Sequence, residues 1–306
     1  MKRIAYLTIF ILLIFLILIN SFNIMESIRF SFSLCINNLF PSLIPFMLLS
    51  NILINYDFIN ELSDIFKHIM SKLFKVNKNV SFAFIMSIMS GSPSNGKYLK
   101  DLFDNGLIDE IDIQNSLNFC HFTNPIFILG TIGYTFLHDK KLGLIILISH
   151  YISAIIIGVF NKKKVIKNNI ESNNTSIIKK NFIYVLKKSI QNTIETLFLI
   201  LGIITTCIII TCIIDNIIHI NDNYKFIYGF VEITQGLKYL SLSNFSIQTK
   251  SIIASTIISF GGFCIHAQVF SIINNKKIRY LPYLLSRILH SLLSIVFTFI
   301  IIVVLY

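Results

Sequence analysis

Charge is what this chain has least of. Only 13% of its 306 residues are Asp, Glu, Lys or Arg, about half the share of an average soluble protein, which is near 25%. A chain so poor in charge cannot cover a soluble globule of this size. The 54% of hydrophobic residues and the mean hydropathy of +0.74 agree. Soluble, disordered, fibrous and disulfide-scaffold classes are excluded. A polytopic membrane protein remains, with lipid as its solvent. Acids are the scarcer sign, 15 against 26 Lys and Arg, and so few fall in apolar runs that no carboxylate proton relay is visible. The five cysteines (Cys35, Cys120, Cys207, Cys212, Cys264) sit in apolar runs without a CxxC pair. Cys207 and Cys212 lack metal-site spacing, so all five read as buried free thiols. HExxH, P-loop, GxGxxG and GxSG motifs are missing. An enzyme is not indicated, and no metal or cofactor is implied. The net charge of +11 lies in lysines beside apolar runs, which points to membrane orientation and not to nucleic acid.

What is present is a series of apolar runs. Residues 4–19 follow Lys2-Arg3; no small-x-small cleavage site comes after them, so they read as a retained first helix within a segment 1–22. Further full spans are expected at 28–56, 111–137, 142–160, 189–214 and 280–306. Pro41 and Pro45 inside the second run predict a kink, tolerated in lipid where neighbours re-satisfy the freed carbonyls. Residues 57–76 repeat apolar positions at i, i+3 and i+4 with Asp64, Lys67, Lys72 and Lys75 between them. That pattern fits a helix lying in the interface. Residues 224–240 form a weaker second example.

Two apolar stretches are too short to span about 30 Å of hydrocarbon, which takes about 20 helical residues. Residues 80–90 run into Gly91-Ser92-Pro93-Ser94-Asn95-Gly96, and 252–260 run into Gly261-Gly262. A break at membrane depth survives only inside protein or beside a watery cavity, so two re-entrant hairpins are expected, near 80–105 and 250–275. The basic stretch 161–188 is the expected cytoplasmic linker between a first repeat, 23–160, and a second, 189–306. In this topology 16 Lys and Arg lie inside and nine outside, with Lys276, Lys277 and Arg279 among those outside. The order of parts recurs with the copies facing opposite ways, the inverted repeat of secondary transporters. The expected fold is therefore all-α, with about six full spans, two re-entrant helical hairpins and interfacial helices.

The chemistry is expected at the breaks. Gly91 and Gly96 permit backbone angles that other residues avoid, and Pro93 suits a helix start. A helix beginning there aims its free N–H groups and dipole inward, which makes an anion site. Ser92, Ser94 and Asn95 add side-chain donors. Lys97 reads as a charge partner or as a snorkelling interfacial lysine. At the second break Gly261 and Gly262 allow close approach, and His266 and Gln268 are polar groups in apolar surroundings, His266 alone reading equally as a packing residue. Thr123 and Asn124 precede Pro125, which disfavours helix before it, so an unwound turn or a plain proline kink is expected. Arg287 and His290 lie inside the last run, where a charge must pair, face a cavity or snorkel. Glu195 and Glu232 are coupling candidates, Glu195 reading better as interfacial.

These residues carry a resemblance. Leu39-Phe40-Pro41-Ser42-Leu43-Ile44-Pro45-Phe46, Ser90-Gly91-Ser92-Pro93, Thr123-Asn124-Pro125-Ile126-Phe127, Ser259-Phe260-Gly261-Gly262, His266-Ala267-Gln268-Val269 and Tyr280-Leu281-Pro282-Tyr283 with Arg287 and His290 look like the sporulation integral membrane protein YlbJ family, of the nucleoside-recognition or Gate-domain group. The likeness covers nearly the whole chain after the first helix. One departure is Asn95-Gly96, where the family reads Gly-Ala; Asn tolerates the left-handed region, so the turn can persist. The resemblance implies a multi-pass cell-membrane protein of spore formers that moves dipicolinic acid from the mother cell across the outer forespore membrane. The small anionic substrate and the bilayer are then the partners, with Phe119, Phe122 or Phe263 against the ring. A nucleoside-type solute on the same scaffold, or a non-transporting spore-envelope assembly role, are the alternatives.

Overall fold

The computed structural model describes residues 2–56, 58–160 and 181–306. Among them there is no strand, and five helices are long and apolar enough to cross a membrane: Ser21–Asn55, Lys140–Phe160, Phe182–Ile218, Ile247–Ile273 and Tyr280–Leu305. The protein is an all-α polytopic membrane protein.

Helix α1 (Lys2–Ile19) touches little besides α2, and its apolar side chains stand outward as a lipid-facing helix requires. Helices α2 (Ser21–Leu34) and α3 (Phe40–Asn55) form one rod joined by a π-helical stretch, Cys35–Leu39. Pro41 and Pro45 each lack the N–H that a regular helix needs; the widened turn just before them takes up the mismatch. The amphipathic stretch becomes α4 (Ile59–Ile69) with a π turn to Phe74, ended by Lys75 in the left-handed conformation.

Helices α5 (Val80–Ser90) and α6 (Ser94–Asp104) pack on each other as a hairpin. Eleven residues rise roughly 16 Å, so each leg reaches about half the hydrocarbon depth. Helix α7 (Glu110–Leu117) then stops. Residues 118–124 are not helical, and a helix restarts at Pro125, running π-wound through Phe127–Phe136. The expected continuous span 111–137 is thus two half-helices: Pro125 disfavours helix at the residue before it, and Asn118, His121 and Asn124 carry their polar groups inward. Helix α8 (Lys140–Phe160) closes the first half.

Helix α9 (Phe182–Ile218) has 37 residues, roughly 55 Å, and packs on α2 and α3. Residues 181–188, expected in the linker, belong to it: Asn181 caps the helix through Ile183 N and the apolar run from Phe182 extends it. The rest of the expected linker, 161–180, lies outside the described residues. A 3-10 helix (Asp222–Phe230) and α10 (Ile233–Leu242) follow, then α11 (Ile247–Phe260), α12 (Gly262–Ile273) and α13 (Tyr280–Leu305).

The second hairpin is not at 250–275. Helix α11 packs on α13, α8 and α10, and α12 packs on α6 and α9; they share no substantial contact with each other. They are two pieces of one crossing, bent at Gly261 (φ +91°) and Gly262 (φ +59°). The fold-back comes earlier, at Val231–Glu232. There the 3-10 helix and α10 lie so close that a Cβ on Gly236 would collide with the Gly229 backbone. The expected interfacial helix 224–240 is this hairpin. With α11 and α12 as a crossing, Ile247–Ile273 joins the long apolar helices among the described residues, while the expected runs 4–19 and 111–137 are present as shorter helices.

Polar links between loops fix the faces. Asn23 Nδ2 donates to Asn216 Oδ1 (3.4 Å), and Tyr306 OH donates to Asp139 Oδ2 (2.7 Å). Lys277 Nζ donates to Glu110 Oε1 (2.8 Å) and so holds that carboxyl below the usual carboxylate range. Arg279 N donates to Gln114 Oε1 (2.6 Å). Residues 275–279 therefore share a face with the start of α7. Lys276, Lys277 and Arg279 thus lie with that segment and not on the face opposite to it as expected, which corrects the topology of the last third.

Candidate solute-binding site

Each half contributes a hairpin tip and an interrupted crossing. In the first half α5 ends at Ser90, and Gly91 turns at φ +79°. A Cβ there would lie 2.5 Å from Asn124 N, so the tip needs glycine both for its angle and for its approach to the unwound stretch. Ser92 N donates to Phe122 O (2.7 Å). Asn124 Nδ2 donates to Ser90 O (3.4 Å), while its Oδ1 accepts from Ile126 N (2.7 Å) and caps the restarted helix. Helix α8 braces the stretch: His150 Nε2 accepts from Thr123 N (2.9 Å), and Tyr151 OH donates to Ile88 O (2.8 Å).

In the second half Glu232 is extended and caps α10. Its Oε1 accepts from Thr234 N (3.2 Å); its Oε2 accepts from Gln235 N (2.8 Å) and from Thr234 Oγ1 (2.5 Å). Cys264 N at the start of α12 donates to Val231 O (2.8 Å). Thus each tip is pinned to the interrupted crossing of its own half by one backbone bond.

The tips meet. A cavity of about 60 Å³ lies between them, its polar lining supplied by Ser42, Ser90, Ser92, Thr123, Asn124, Glu232, Thr234 and Gln268. Pro93, Phe127, Cys264 and Ile265 add apolar surface, with Leu39 and Leu43 of the kinked rod and Ile200 and Ile204 of α9. Among the described residues, no lysine or arginine lines it. Its electrostatics come from the backbone: α6, the helix after Pro125, α10 and α12 all begin at this cavity. A helix N-terminus carries up to about half a positive charge, and at three of the four an N–H is already bonded, by Asn124, Glu232 and Val231 O. Helices α6 and α12 both start without a side-chain cap, but Cys264 N of α12 already donates to Val231 O, which leaves the α6 terminus open to an acceptor.

Of the residues expected from sequence, Ser92, Pro93, Thr123, Asn124 and Gln268 line the cavity. Gly91 stands behind it against Asn124, and Gly96 packs on Val269. Ser94 and Asn95 are fully buried in the first turn of α6. Gly261 abuts His121, and Gly262 abuts Val231 O and Gly229 O. His266 bonds Tyr280 OH (3.0 Å) and Phe260 O (2.9 Å) as a buried packing residue. Lys97 pairs with Asp101 one turn along α6, away from the lining. Arg287 and His290 are fully buried in α13; Arg287 donates to Asn118 O and to His290 Nδ1 (3.0 Å). Phe119 stacks on Phe74 (centroids 4.6 Å apart) and Phe122 lies against Phe84 and Tyr151, while Phe263 is half exposed. None of these three lines the cavity; the lining ring is Phe127. Glu195 is exposed on α9. Sequence reasoning missed Glu232 as a hairpin tip. An acid followed by Thr234 and Gln235 at an interruption of an apolar pattern is a helix-start signal that could have found it.

These features define a class: a multi-pass membrane protein whose interrupted helices enclose a small, mostly apolar cavity with a few polar groups at the hairpin tips. The chain is 24% identical over 296 residues to the sporulation integral membrane protein YlbJ of Bacillus subtilis (strain 168), covering 84% of this chain and 72% of that protein. With the motifs quoted above, this similarity supports the assignment of the chain to the sporulation integral membrane protein YlbJ family. No family model matches the chain, and no solved structure matches it.

Proposed function

We propose that this chain is a sporulation membrane transporter that moves dipicolinic acid across the outer forespore membrane from the mother cell. The observation that carries the reading is the shared cavity: two hairpin tips and two interrupted crossings meet there with four helix N-termini. Interrupted helices around a midplane site are the architecture of alternating access. Dipicolinate is a planar aromatic dianion. Helix N-termini on opposite sides suit its two carboxylates, and Phe127 suits its ring. The sporulation context comes from the similarity to the Bacillus subtilis protein of that name.

Glu232, Asn124 and Gln268 favour a second reading. One carboxylate and two carboxamides suit the hydroxyl and amine donors of a neutral nucleoside-type solute better than they suit an anion. Uptake of both solutes into proteoliposomes holding the full chain separates the two. In cells, spores of a deletion strain are expected to lose dipicolinate and to regain it when the chain is restored. Normal dipicolinate in the deletion strain, with no uptake of it in proteoliposomes, would remove the first reading.

A further inference from the structure

His121 joins the two halves at the cavity. Its Nδ1 lies 3.1 Å from Ser92 Oγ and 3.2 Å from Tyr283 OH. Ser92 lines the cavity at the first tip. The ring is fully buried, and its Nε2 has no hydrogen-bond partner among the described residues; it faces Gly261, where a Cβ would come within 2.7 Å. We infer that His121 is a proton-binding site that loads one proton together with an anionic solute held by Ser92, so that transport is proton–anion symport. The inference rests on the anion reading above and adds the energy source to it.

The step needs only a proton and a hydroxyl rotation. In the neutral ring Nδ1 accepts from Ser92 O–H, which turns the Ser92 hydrogen away from the cavity, and the ring proton sits on Nε2. When a proton adds to Nδ1, that nitrogen becomes a donor. Ser92 Oγ now accepts from it, and the Ser92 O–H rotates to donate to a carboxylate oxygen in the cavity. No heavy-atom bond forms or breaks, and release reverses the step.

The surroundings make the two events interdependent. The titratable neighbours of His121 are Tyr283, Arg287 and His290 from α13, His150 from α8 and His266 from α12. None is an acid. Arg287 is itself fully buried without a carboxylate partner among the described residues. A second cation beside it is unfavourable unless an anion arrives. The anion at Ser92 supplies that charge, and without it the proton leaves.

The test is dipicolinate uptake into proteoliposomes under an imposed pH gradient, with the membrane potential clamped to zero. One proton per solute predicts about tenfold accumulation per pH unit. His121→Gln keeps an acceptor or donor for Ser92 but cannot take a proton; it is expected to exchange labelled dipicolinate across the membrane yet accumulate none. His68→Gln on the exposed face of α4 keeps the tenfold. Should His121→Gln fail to reach the membrane, His121→Asn carries the same test and is likewise expected to exchange labelled dipicolinate without accumulating it. Uptake by the parent chain that ignores the gradient, or His121→Gln that still concentrates solute, overturns the inference alone. No dipicolinate uptake by the parent chain under any gradient overturns the anion reading and the inference with it.

Discussion

The two hairpin tips face the same cavity with opposite chemistry. The first, Ser90–Pro93, presents a hydroxyl and an uncapped helix start. The second, Val231–Thr234, presents a carboxylate that already satisfies the start of its own helix. One tip offers donors and the other offers an acceptor whose charge its helix largely offsets. Two halves of similar architecture thus make an asymmetric site, and an asymmetric solute or a solute with a proton fits it better than a symmetric one.

The largest test of this contrast is the backbone of the first tip. Gly91→Val adds a Cβ 2.5 Å from Asn124 N at φ +79°, so the tip cannot keep both its angle and its contact. Spore dipicolinate is expected to fall to the deletion level while the protein remains in the membrane. Gly106→Ala, also at positive φ (+68°) but with nothing within 4 Å, meets only backbone strain of about 1–2 kcal/mol and should leave transport intact. Equal effects of the two would deny the first tip its special place.

Next comes the sign of the two tips. Ser92→Ala removes a donor to a charged acceptor, a contact worth about 1.5–3 kcal/mol, and should weaken dipicolinate binding roughly 10-fold or more. Glu232→Gln removes the one negative charge of the lining; dipicolinate binding should hold or tighten. Binding of a nucleoside, measured by the same isotherm, should instead fall at least tenfold. If Glu232→Gln abolishes dipicolinate binding and Ser92→Ala does not, the roles of the tips are reversed.

The contrast also explains what sequence could reveal. Gly91-Ser92-Pro93 is legible because glycine and proline mark a break by their own backbone rules, and the long spans are legible because lipid demands continuous apolar runs. Glu232 was legible as a coupling candidate but not as a hairpin tip, because its role as a helix cap depends on a fold-back that hydropathy does not mark. Gly261-Gly262 carried the glycine mark of a hairpin, yet the chain there bends and continues, since α11 and α12 find separate partners. Hydropathy cannot tell a fold-back from a bend; only the packing of the legs does. The unwound stretch Asn118–Asn124 was half legible: Pro125 marked its end, but the polar residues that hold it open act through α8 and α13, which lie far away in sequence.

The smallest effect concerns Lys97, which follows the first tip and invites a role in holding an anion. It lies one turn inside α6 and is paired with Asp101. Neither residue lines the cavity. Removing Lys97 alone leaves a largely buried carboxylate unpaired, which costs stability for reasons unrelated to solute. The double change Lys97→Met with Asp101→Leu removes both charges at once. Dipicolinate uptake by that variant should stay within about twofold of the parent chain, since one neutral pair replaces another at a distance from the solute. A tenfold loss in the double variant, with membrane levels unchanged, would mean that the Lys97 charge is felt in the cavity, and the first tip would then owe its donor character to a side chain as well as to its helix start.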